Sequence, residues 1–66
     1  MTEEELKDIN PNTKVKIIEG YYKGEMGNFQ EYNNKWIFIV MESGPVVTFK
    51  RDHCLHIEII KENGVS

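Results

Sequence analysis

Thr13-Lys14-Val15-Lys16-Ile17-Ile18-Glu19-Gly20-Tyr21-Tyr22-Lys23-Gly24-Glu25-Met26-Gly27-Asn28-Phe29 is the stretch whose reading decides the fold. Lys14 to Ile17 alternates polar and apolar side chains with β-branched residues at the apolar positions, the pattern of a strand with one face buried. Gly20, Gly24 and Gly27 then interrupt it. Gly20 admits a positive φ, Lys23 and Gly24 make an exposed loop tip, and Gly27 lets the chain kink closely into a second strand, about Glu25 to Tyr32. The glycines serve the backbone. They do not form a phosphate loop, because no helix follows them with Lys-Ser or Lys-Thr.

Downstream, Asn33-Asn34 predicts a two-residue turn, since Asn tolerates left-handed backbone angles. Trp36 to Met41 is a third strand. Ser43-Gly44-Pro45 turns the chain into a fourth, Val46 to Lys50, and Arg51 to Cys54 is a short connector of about one helical turn. Leu55, Ile57 and Ile59 alternate with His56 and Glu58 in a last strand. Upstream, Thr2 and Glu5 have the spacing of a capping box, and Glu3 and Glu4 suit the positive end of a helix dipole. Asn10-Pro11-Asn12 ends that segment. The expectation is an all-β fold, a small, strongly bent five-stranded antiparallel barrel. It has an acidic N-terminal segment, helical or extended, over 1–12, a barrel over 13–60 and a disordered tail over 61–66.

Composition narrows the function. The sequence has 66 residues, with 8 Lys and Arg against 11 Asp and Glu and a single Cys. This length holds one small domain and no dinucleotide-binding unit, and one Cys makes neither a disulfide framework nor a paired-Cys zinc site. Residues 1–12 carry four acidic side chains and one basic, a sum of −3, so residues 13–66, with seven of each sign, sum to zero. A balanced body argues against wholesale wrapping by nucleic acid and leaves room for a local basic patch. The longest apolar run, Trp36 to Met41, is far short of the ~20 residues that cross a bilayer, and the acidic start does not read as a secretory signal. The expectation is a cytoplasmic protein with no membrane association.

Residues 13–29 resemble the KOW motif, in which a V-x-I strand leads to a glycine, a basic residue followed by glycine, and a third glycine opening the next strand. The resemblance covers about a quarter of the chain. Phe29 stands where the family usually has an aliphatic residue, and Glu19 and Glu25 flank a loop that is often more basic in RNA-binding members. Proteins with this motif form SH3-like barrels, among them a ribosomal large-subunit protein that contacts RNA and NusG-like transcription elongation factors, whose barrel binds proteins. The resemblance therefore implies an SH3-like barrel and a partner in the translation or transcription machinery.

Lys16, Tyr21, Tyr22, Lys23 and Gly24 would form the contact loop, with Arg51 as a neighbour. Adjacent tyrosines in a glycine-flanked loop cannot both point inward, so at least one is left at the surface as a stacking platform or a protein anchor. Lys14 and Lys16 share a strand face near Lys23, which is either a weak basic edge or ordinary solubilising charge. The third strand is apolar on both faces, Trp36, Phe38 and Val40 on one and Ile37, Ile39 and Met41 on the other. A barrel buries only one face. The other requires cover by Leu6 and Ile9, by a second copy in a homodimer, or by a partner.

His53, Cys54 and His56 supply no tetrahedral ligand set on adjacent strand positions, and no base is positioned for the thiol. No enzyme, metal or cofactor is expected. The reading is a non-enzymatic KOW-type binding module that docks on RNA or a ribonucleoprotein or transcription complex through loop 20–24. The alternative is a small protein-interaction module, or a phage-type inhibitor of a host protein, that uses the acidic N-terminus and the Trp36 strand.

Overall fold

A computed structural model describes residues 1–60, so the tail expected over 61–66 lies outside the described residues. Helix α1 spans Glu3–Asp8 and is followed by β1 (Lys14–Ile17), β2 (Met26–Tyr32), β3 (Trp36–Met41) and β4 (Val46–Lys50). A 3-10 segment, Arg51–His56, then leads to β5 (Ile57–Ile59). The capping box is formed: Glu5 N donates to Thr2 Oγ1 at 3.1 Å and Thr2 N donates to Glu5 Oε1 at 2.9 Å. Six residues are too few for a free-standing helix. Packing therefore holds α1 in place: Leu6 is wholly buried, and the Met1 amine donates to the Ile57 carbonyl.

The five strands form one antiparallel sheet in the order β4-β3-β2-β1-β5. β4 and β5 are its two edges, so the expected barrel is not closed. The 3-10 segment carries the chain between them, and the three residues of β5 pair with β1. Two local features favour bending of the sheet. The register shifts between Phe29 and Glu31, and a bulge of this kind bends its strand and increases its twist. At Gly27 a Cβ would sit 2.7 Å from the Val40 carbonyl oxygen and 2.8 Å from Ile39 Cγ2, an approach only glycine permits.

One face of the sheet holds the core, in which Val15, Ile17, Phe29, Ile37, Ile39, Met41 and Ile57 gather with Met1, Leu6 and Cys54. The two faces of β3 are thereby resolved. Ile37, Ile39 and Met41 point inward, while Trp36 is 40 % exposed and Phe38 and Val40 are half-buried. The N-terminal segment does not cover that second face, because Leu6 and Ile9 pack with the inward set, the same apolar surface the strands bury.

Two sequence expectations need correction. The last strand does not begin at Leu55, which is 64 % exposed, because the 3-10 segment runs through His56 and buries Cys54 instead. The turn after β2 does not rely on left-handed Asn residues, since Asn12 is the one non-glycine with positive φ among the described residues. Asn33 acts through its side chain, whose Oδ1 accepts from Lys35 N at 2.9 Å and Trp36 N at 2.8 Å.

Candidate binding surface

The connection from β1 to β2 is a loop braced by its own backbone. Gly24 N donates to Ile17 O at 2.7 Å, Ile17 N donates to Glu25 O at 2.9 Å, and two tight turns lie between, Lys23 N to Gly20 O at 3.1 Å and Glu25 N to Tyr22 O at 3.0 Å. Gly20 and Gly24 both adopt φ of +92°, with open space where a Cβ would be, so backbone conformation and not crowding calls for glycine there.

The two tyrosines separate as their adjacency requires. Tyr22 is half-buried and packs against the core, its ring 6.3 Å from Phe49 on β4 in an edge contact. Tyr21 is 92 % exposed and touches Tyr22 edge-on at 4.9 Å. A phenol ring is thus held out in solvent on a braced loop and supported from below by a second ring. Lys23 and Gly24 are exposed beside it, and Lys16 is exposed on β1 opposite Met26 and Glu58. Glu19 and Glu25 are exposed at the two ends of the loop, so its one lysine is outnumbered and the charge balances only when Lys16 of β1 is counted with it.

The contacts of Arg51 lie at the β2–β3 turn. Its guanidinium donates from Nε to Glu3 Oε1 at 3.1 Å, forms an ion pair with Glu3 at 3.0 Å, donates from Nη1 to the Asn33 carbonyl at 3.3 Å, and lies 5.2 Å above the Tyr32 ring. The hydrogen bond to Glu3 raises its pKa further above the usual arginine value, so the cation stays charged. Loop 20–24 leads into the start of β2 and Tyr32 is its last residue. Arg51 therefore ties α1 to the β2–β3 turn, and its contacts go to that corner and not to the loop.

That corner contains a feature the sequence reading missed. A cleft of about 230 Å³ is lined by Asn34, Lys35, Trp36, Lys50, Arg51 and Asp52. It exists because Trp36 and Lys50 are paired across β3 and β4, which joins residues 34–36 to residues 50–52. The aromatic and basic pairing at Lys35-Trp36 was the available signal; its partners lie fourteen and more residues away, beyond local pattern reading.

His53 and His56 stack at 4.8 Å beside buried Cys54, and among the described residues no group of three or more His, Cys, Asp or Glu is gathered to hold a metal. Among the same residues no helix is long and apolar enough to cross a membrane. No protein-family model matches the chain, and no curated protein matches it.

Proposed function

We propose that this chain is a non-enzymatic binding module, an SH3-like barrel of the KOW type, that docks on RNA or a ribonucleoprotein through loop 20–24. Five short antiparallel strands over one core, with Tyr22 of the β1–β2 connection reaching Phe49 of β4, support the fold assignment. The observation that carries the binding reading is Tyr21, 92 % exposed on a hydrogen-bonded loop with Lys23 and Lys16 nearby. Exposing a large ring costs hydrophobic stabilisation that a 66-residue chain has little of. A base stacked on that ring recovers it, typically with ~1–3 kcal/mol per stacked base.

The test is fluorescence anisotropy of a labelled single-stranded RNA octamer at low salt, with wild type and Tyr21→Ala. Binding by wild type that weakens about tenfold in the variant supports the reading. Equal binding by both, or none by either, refutes it.

A second reading rests on the uncovered side of β3. Trp36, Phe38 and Val40 on that side are joined by Val46, 53 % exposed on edge strand β4, and Glu3 of the acidic segment lies at the same corner through Arg51. A protein partner would cover this surface. Affinity capture with and without nuclease separates the two readings: capture of one protein that survives nuclease favours the second, and capture lost with nuclease favours RNA.

A further inference from the structure

We propose that the cleft at Trp36 is a second nucleic-acid contact, a subsite that takes one unpaired base on the indole face and its phosphate between Lys35 and Lys50. The inference rests on the RNA reading above and adds to it a second contact, at the β2–β3 turn. It stands on four observations.

The first is the indole itself. Trp36 is 40 % exposed, and among the described residues no ring pair or cation–π contact engages it. The exposed part of the ring lines the cleft and is available for stacking, the sequence-tolerant way in which proteins hold single strands.

The second is charge. Residues 13–60 contain six Lys and Arg and six Asp and Glu, yet three of those cations, Lys35, Lys50 and Arg51, line this one cleft with one of those carboxylates, Asp52. A body that is neutral as a whole is locally cationic here. Arg51 is committed to Glu3 and Asn33, and Glu3 offsets its charge, whereas Lys35 and Lys50 have no ion pair among the described residues. Those two ammonium groups are the phosphate contacts.

The third is preorganisation. Asn33 Oδ1 holds the backbone of both Lys35 and Trp36, Arg51 N donates to Lys35 O at 2.8 Å, and the Trp36–Lys50 register fixes the two walls relative to one another. Little ordering remains to be done on binding. The fourth is size: at about 230 Å³ the cleft falls below the ~300–1,000 Å³ of ordinary small-molecule pockets and suits one planar base with an open side for the adjoining backbone.

Trp36 is the sole tryptophan, so the protein's indole emission comes from this site. The experiment titrates unlabelled octamers of uridylate and of thymidylate into the full chain at low salt while indole emission is followed, with anisotropy of the labelled strands measured in parallel. Wild type, Trp36→Ala and the double variant Lys35→Gln/Lys50→Gln are compared, and circular dichroism checks that each variant is folded. The expected result is quenching that saturates together with the anisotropy. Affinity should fall roughly 5- to 150-fold for Trp36→Ala. In the double variant the slope of log K against log salt should flatten by about 1.4, two contacts at ~0.7 each.

Saturation by either octamer supports the subsite, and the tighter of the two names RNA or DNA as the source. Anisotropy without quenching, at an affinity the double variant retains, overturns the subsite while the loop reading stands. No anisotropy change with either strand overturns both. Quenching by a captured protein and by neither octamer overturns the subsite in favour of a protein partner on this corner.

Discussion

Gly27→Ala tests how the sheet is bent. An added Cβ would lie 2.7 Å from the Val40 carbonyl oxygen, 2.8 Å from Ile39 Cγ2 and 3.1 Å from Met41 Cα. The Ile39 methyl can rotate away. The Val40 oxygen and the Met41 Cα cannot, because both belong to the backbone of β3, which pairs with β2 on one side and β4 on the other. Relief therefore requires the two central strands to separate along the register that seats Phe29 against Ile39. Overpacking of this kind costs about 1–3 kcal/mol, and a domain of 66 residues has only about 3–10 kcal/mol in total. At ~4–8 °C per kcal/mol for a domain of this size, a 2 kcal/mol loss lowers Tm by roughly 8–16 °C. Urea and thermal unfolding by circular dichroism measure it, with Gly24→Ala as the comparison. At Gly24 a Cβ meets nothing, but φ of +92° strains any other residue by ~1–2 kcal/mol, so the loss there is local and leaves the strand register intact. A Gly27→Ala protein with the wild-type midpoint would falsify the close strand approach at this position.

The two tyrosines should part company. Tyr21→Ala should change stability by no more than ~0.5 kcal/mol, as surface substitutions do, whereas Tyr22→Ala loses the ring against Phe49 and should unfold at clearly lower urea; equal midpoints would contradict the division of roles. Thr2→Ala removes the helix cap and should cost ~1 kcal/mol, measurable as a Tm drop, and an unchanged Tm would mean that α1 adds nothing to folding. Cys54 is 4 % exposed and free, so a colourimetric thiol reagent should react slowly with the native protein and at once in denaturant. Prompt reaction in native buffer would show the 3-10 segment to be open.

Much of this fold was legible because its signals are local. The alternation of Lys14–Ile17, the apolar run Trp36–Met41 and the turn at Ser43-Gly44-Pro45 each specify an element from neighbouring residues, and the capping box needs only Thr2 and Glu5. What escaped is non-local. Both faces of β3 are apolar, so periodicity could not say which one turns inward; the packing of the whole sheet decides it, and Leu6 joins the same core as Ile37 and Ile39. Leu55 has strand spacing with Ile57 and Ile59, yet the 3-10 winding rotates it outward and Cys54 inward. Arg51 carries no local mark of its partners, because Glu3 and Asn33 lie 48 and 18 positions away. The Trp36 cleft depends on a strand register, which no single segment of sequence contains.

Chemical-shift mapping on the isotope-labelled chain addresses the binding claim most directly. On addition of a single-stranded RNA octamer at low salt, the account predicts that the amides of Lys16 and of residues 20–24 move and saturate together, Tyr21 and Lys23 foremost. Saturating RNA that leaves those amides in place would contradict it.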